Sequence, residues 1–97
     1  AFLMRQAREH KDPSLRGYCI CALNSELSEG KIAFLLDKLK NGTPFEQSGA
    51  VRKIGDMGLL SLSPTLMAVY NQSEDVILKE EIFDTLRYMR KIRQKAG

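Results

Sequence analysis

The chain has 97 residues, of which 43% are hydrophobic and 28% are charged, and its formal net charge is +3. This composition is typical of a globular protein and excludes a disordered, collagen-like or coiled-coil chain. No stretch approaches the roughly 18 consecutive apolar residues that a membrane-spanning helix needs. The length predicts one domain over residues 1–97.

Proline, glycine and capping residues divide the chain into helical segments. The start and stop signals are Asp12-Pro13, Asn41-Gly42-Thr43-Pro44 and Ser63-Pro64, and between them apolar residues recur at spacings of three and four. The predicted helices cover residues 2–10, 13–27, 29–41, 44–58, 63–72 and 74–94. No segment alternates as a strand does, so the sequence predicts an all-α fold. Short connections predict that consecutive helices run antiparallel.

The helical spacing also predicts which side chains face the core. In the segments 13–27 and 74–94, the inward residues include Leu15 and Phe83 respectively. In the segment 29–41 the predicted core stripe comprises Ile32, Leu35, Leu36 and Leu39. Phe34 and Lys38 lie on the opposite side of that helix, where we expect exposure. Phe34 is then either an isolated surface aromatic or a contact anchor for a partner.

A repeat becomes visible when the sequence is shifted by 31 positions. Pro13 then falls on Pro44, Cys19 on Ala50, Leu23 on Ile54, Leu35 on Leu66 and Leu39 on Tyr70. A further shift of 31 to 32 carries Ala50 to Ile82 and Ile54 to Leu86. A period of this length is typical of stacked helical repeats.

The repeated unit resembles the HEAT-like family. Asp12-Pro13-Ser14-Leu15-Arg16, followed by Cys19 and Leu23, is similar to the first helix of a HEAT-like repeat, and Glu74-Asp75-Val76-Ile77-Leu78-Lys79 is similar to it as well. Gln47 departs from the pattern, because it stands where the family has a basic residue. The family includes enzymes that attach bilin pigments, but no other residue of this chain points to them.

The resemblance implies a right-handed α-α superhelix of about two and a half helix pairs. Its units would cover residues 1–11 (partial), 12–42, 43–73 and 74–97 (partial). Second helices line the concave side in this family, which places Phe34 and Lys38 on a potential binding surface. Both ends lack an obvious lid, so we expect either a piece of a longer array or a chain that associates with another copy end to end.

Residues for catalysis or metal binding are sparse. Cys19 and Cys21 diverge on a helix and, with the lone His10, do not provide a zinc site at any standard spacing. Two unpaired cysteines are typical of a reducing compartment, which predicts a cytoplasmic protein. The sequence predicts no catalytic residue, no cofactor and no metal site.

Positive charge is concentrated at the end of the chain. The last eleven residues hold five basic residues and no acid, while the rest has ten basic and twelve acidic residues. The basic residues are Arg87, Arg90, Lys91, Arg93 and Lys95. Arg87, Lys91 and Lys95 are spaced to form one ridge of a helix.

Three interpretations of this basic end remain open. The cations complement the helix dipole at a solvated terminus, they bind an acidic protein partner or a continuation of the chain, or they bind nucleic acid or an anionic membrane surface. The predicted function is a non-catalytic protein–protein interaction scaffold. The alternative is nucleic-acid or anionic-surface binding through Arg87, Arg90, Lys91 and Lys95.

Overall fold

A computed structural model describes residues 2–22 and 29–96 of the chain, and this part is helical with no strand. The helices are α1 (Phe2–Glu9), α2 (Pro13–Ala22), α3 (Glu29–Asn41), α4 (Pro44–Met57), α5 (Ser63–Gln72) and α6 (Val76–Ala96). A 3-10 turn, Leu60–Leu62, precedes α5. The predicted all-α class is confirmed. The predicted extension of the second helix over residues 23–27 lies outside the described residues.

Local signals determine both ends of α4. Thr43 caps its first turn and forms a reciprocal capping box with Glu46, while Pro44 occupies the first turn, where its missing N–H costs nothing. At the other end, Gly58 adopts φ 65°, and its N–H donates to the carbonyls of Ile54 and Gly55. The predicted stop at Gly58 is therefore confirmed as a left-handed C-terminal cap.

Helix α4 lies at the centre of the packing. It contacts α2, α3 and α6, while α1 packs on α2 and α5 packs on both α6 and α3. The crossing of α2 and α4 is closest at Gly17 and Gly49. A Cβ atom added to Gly49 would lie 2.3 Å from the carbonyl oxygen of Gly17, so a side chain at this position would hold the two helices apart.

The core runs continuously along these contacts. Its buried hydrophobic residues are Ala7, Ile20, Phe34, Leu35, Leu39, Ala50, Val51, Ile54, Leu66, Val69, Leu78, Ile82 and Met89. Two residues predicted to face inward do not: Leu15 is 45% exposed and Phe83 is 52% exposed. Burial of these two side chains depends on whether a neighbouring helix covers their side of the helix. Within the described residues, no helix is both long enough and apolar enough to span a membrane.

Candidate interaction surface

Helices α5 and α6 enclose a surface groove of about 300 Å³. It is lined by Met67, Tyr70, Phe83, Leu86, Arg87 and Arg90. Residues 83, 87 and 90 are three or four positions apart and therefore share one side of α6. The groove is thus apolar along its floor and positively charged at one end.

The groove leaves large apolar side chains in contact with solvent. Phe83 is 52% exposed and Met67 is 42% exposed. The guanidinium carbon of Arg87 lies 5.8 Å from the centre of the Phe83 ring, within range of a cation–π interaction. Neither Arg87 nor Arg90 forms an ion pair with a carboxylate of the described residues. Both guanidinium groups are therefore available to a ligand.

A second depression continues the groove on the other side of Phe83. Its lining comprises Tyr70, Val76, Lys79, Glu80, Phe83 and Asp84. The Lys79 ammonium lies 5.0 Å from the centre of the Tyr70 ring. The carboxylates of Glu80 and Asp84 give this end of the surface a charge opposite to that of the arginine end. The sign of the surface charge therefore changes along α6.

The structure describes the side chains of some of the predicted basic residues of α6 and not of others. Arg87, Arg90 and Lys91 are exposed, as the sequence predicts. The side chain of Lys95 lies outside the described part. Arg87 and Arg90 line the groove together, whereas Lys91 does not belong to its lining.

The predicted exposure of Phe34 is wrong. Phe34 is 6% exposed and belongs to the core. The Arg8 guanidinium of α1 lies 5.1 Å from the centre of its ring, and the Lys38 ammonium lies 5.6 Å from it. Phe34 falls outside the main apolar stripe of α3, and helical spacing within α3 does not reveal neighbours from other helices, such as Arg8 of α1.

Lys38 is also engaged inside the molecule and not displayed on a free surface. Its Nζ lies 2.7 Å from Oε2 of Glu46, and Nε of Arg16 lies 3.2 Å from the same oxygen. Glu46 is 3% exposed. A buried carboxylate needs cationic partners, and α2 and α3 each provide one. The Arg16–Glu46–Lys38 cluster therefore joins α2, α3 and the first turn of α4.

The protonation of Glu46 reflects this environment. Burial raises the pKa of Glu46, but hydrogen bonds from Lys38, Arg16 and the Thr43 amide outweigh burial and lower it from 4.5 to about 2. Glu46 is therefore ionised at neutral pH. The contacts of this carboxylate with Arg16 and Lys38 therefore hold α2, α3 and α4 together.

Glu46 and the α5–α6 groove were not predicted from the sequence. The sequence contains a signal for the first, because Thr43 and Glu46 have the Thr-x-x-Glu spacing of a capping box. Its partner Arg16 is 30 positions away, and no local rule pairs them. The groove depends on which helix edge remains uncovered, so it has no sequence signal of its own.

The lone histidine, His10, forms hydrogen bonds within the turn between α1 and α2. Nδ1 of His10 accepts a hydrogen bond from the Asp12 amide at 3.1 Å, and its carbonyl accepts one from the Arg16 guanidinium. Cys19 is a free, half-buried thiol packed against the core. These contacts give both residues a structural explanation.

Comparison with models of known protein families, with curated proteins and with solved structures finds no match for this chain. Among the features of the described residues, the α5–α6 groove combines exposed apolar area with unpaired charge.

Proposed function

We propose that this chain is a non-catalytic protein–protein interaction module built as a short HEAT-like stack of helix pairs, and that it binds through the α5–α6 groove. The single observation that carries the binding role is the exposure of Phe83 and Met67 beside two unpaired arginines. Interface centres favour aromatic, methionine and arginine side chains of this kind.

Contacts between successive units support the stacked arrangement, although α4 packs less on its own partner α5 than on α3. The first helices of the three proposed units are α2, α4 and α6, and α4 contacts both of the others. Their partners α3 and α5 contact each other as well. In a stack of repeats, each unit packs on the next one in this way.

Photo-crosslinking tests the interaction role. A photoreactive phenylalanine analogue is placed at Met67, inside the groove, and as a control at Ala33, an exposed position of α3. After irradiation in an extract of the source cells, we expect one discrete protein adduct from position 67 that is absent from position 33 and lost on Arg87→Glu. Equal labelling from both positions, or no protein adduct at position 67, contradicts the proposal.

One observation favours the alternative, nucleic-acid binding, because Arg87, Arg90 and Lys91 are all exposed on α6. Phosphate binding by these residues predicts an affinity for DNA or RNA that falls steeply with added salt and is lost when Arg87 and Lys91 are reversed in charge. Glu80 and Asp84 argue against it, since they would repel a phosphate backbone that follows the same helix.

A further inference from the structure

The α5–α6 groove corresponds, through the repeat, to the region between α3 and α4 one unit earlier. The shift of 31 carries Leu39 to Tyr70, and the shift of 32 carries Val51 to Phe83. Leu39 and Val51 are fully buried, whereas Phe83 is 52% exposed and Tyr70 is half-buried. Equivalent apolar positions are therefore covered in one unit and open in the next.

A helix packs on the α3 side of the earlier position. Helix α5 contacts α3, and Val69 of α5 lines the same depression as Leu39 of α3. The chain thus shows what kind of element fits against this type of surface: a helix that presents an apolar stripe. The α5–α6 groove presents the apolar side chains of Met67, Tyr70 and Phe83 to an element of the same kind.

The rim of the α5–α6 groove differs from the earlier one in charge. Arg87 and Arg90 stand where the shift of 32 places Gly55 and Gly58. The internal helix α5 carries no acidic residue. An occupant of the α5–α6 groove meets two guanidinium groups instead, and carboxylates are their strongest side-chain partners.

We infer that the α5–α6 groove is a docking site for an amphipathic, acidic helix of a partner protein, an inference that rests on the proposed interaction function. Apolar residues of that helix at spacings of three and four pack on Met67, Tyr70 and Phe83. Its carboxylates pair with Arg87 and Arg90. Glu80 and Asp84 beyond Phe83 disfavour acids at the other end, so the charges also fix the direction in which the helix lies.

A peptide selection tests the inference with a defined probe. The probe is a displayed library of amphipathic helices that have a fixed leucine stripe and flanking positions randomised among acidic, basic and neutral residues. It is selected against the 97-residue chain. We expect enrichment of Asp or Glu beside one end of the stripe and of neutral or basic residues beside the other. Selected peptides with no charge preference contradict the inference.

Variants then locate the binding site. We expect the affinity of a selected peptide to fall by about tenfold or more on Arg87→Glu/Arg90→Glu, and likewise on Phe83→Ser. The matched control is Arg5→Glu, which reverses an exposed arginine of α1 and leaves the affinity unchanged. All of these side chains are exposed, so circular dichroism is expected to show that each variant folds.

A charge swap gives the decisive outcome. A peptide with Lys in place of the selected acids is expected to bind Arg87→Glu/Arg90→Glu more tightly than the parent chain, which requires direct pairing across the groove. Failure of this rescue, or concentration-dependent dimerisation of the free chain that Phe83→Ser abolishes, overturns the inference; the second result assigns the groove to another copy.

The inference and the proposed function fail in distinguishable ways. Peptides that bind outside α5 and α6, located by amide chemical-shift changes, refute the groove as the docking site but leave an interaction module in place. No peptide binding, together with no protein adduct at position 67, refutes both.

Discussion

The Nζ of Lys38 lies 2.7 Å from Oε2 of Glu46, and this contact crosses from α3 to α4 inside the fold. Together with Arg16 it explains how a carboxylate that is only 3% exposed remains charged. Lys38 lies on the face of α3 that the sequence predicts to be polar. Its ammonium group pairs with Glu46 inside the fold and is therefore not free for a partner.

Glu46→Gln is expected to destabilise the protein by about 3 kcal/mol at neutral pH, because it leaves two partly buried cations facing a neutral amide. Urea unfolding followed by circular dichroism measures the loss. Glu80→Gln is the matched control, since Glu80 is exposed, and we expect a change within about 0.5 kcal/mol. A similarly small effect at Glu46 would show that the ion pairs contribute nothing net.

The parent chain and Glu46→Gln together reveal the pH dependence of this stabilisation. Folding lowers the pKa of Glu46 from 4.5 to about 2, so the stabilisation is fully present above about pH 4.5 and is lost as the pH falls through about 2. The difference in unfolding free energy between the parent chain and Glu46→Gln is therefore expected to shrink over this window. A difference that stays constant from neutral pH to about pH 3 would contradict the lowered pKa.

Gly17→Ala is expected to destabilise the protein by about 1–3 kcal/mol or more, as overpacked cores do. The added Cβ would lie 2.3 Å from the backbone oxygen of Phe45, which cannot move without moving α4. Gly30→Ala in α3 is the control, because its Cβ meets nothing within 4 Å, and it should stabilise by up to about 1 kcal/mol through helix propensity. Thermal unfolding of the two variants gives the comparison, and shifts of the same sign would refute the close approach of α2 and α4.

Phe34→Ala is expected to cost about 3–5 kcal/mol, the range for a buried aromatic, because Phe34 is 6% exposed. Phe45→Ala is matched in chemistry but 58% exposed, and we expect a much smaller loss. Chemical denaturation of both variants distinguishes a core residue from a surface anchor. Equal, small effects would restore the surface role that the helical spacing of α3 suggests.

Gly58→Ala is expected to destabilise the protein by about 1 kcal/mol, because φ of 65° is strained for a residue with a Cβ atom. No atom lies within 4 Å of the added methyl group, so the cost is purely conformational. Gly58→Asn is expected to cost less, since asparagine tolerates the left-handed region better. Thermal unfolding that ranks Asn below Ala would contradict this cause.

Much of the fold follows from the sequence because its signals are local. The predicted segment 29–41 coincides with α3, and the predicted stop of α4 at Gly58 is its left-handed cap. Capping residues, proline positions and the spacing of apolar residues act within one or two turns of a helix. They therefore specify where helices begin and end without reference to the rest of the chain.

The candidate site depends instead on which helices become neighbours. Helical spacing places Phe34 opposite the apolar stripe of α3 and Phe83 on the inward side of α6, yet Phe34 is 6% exposed and Phe83 is 52% exposed. Arg16 reaches Glu46 across 30 positions of sequence because α2 and α4 cross at Gly17. The sequence by itself determined the helical segments, since their start and stop signals are properties of short stretches of chain. Only the tertiary structure decided which edges are covered, and hence that Phe34 lies in the core while Phe83 lies in an open groove.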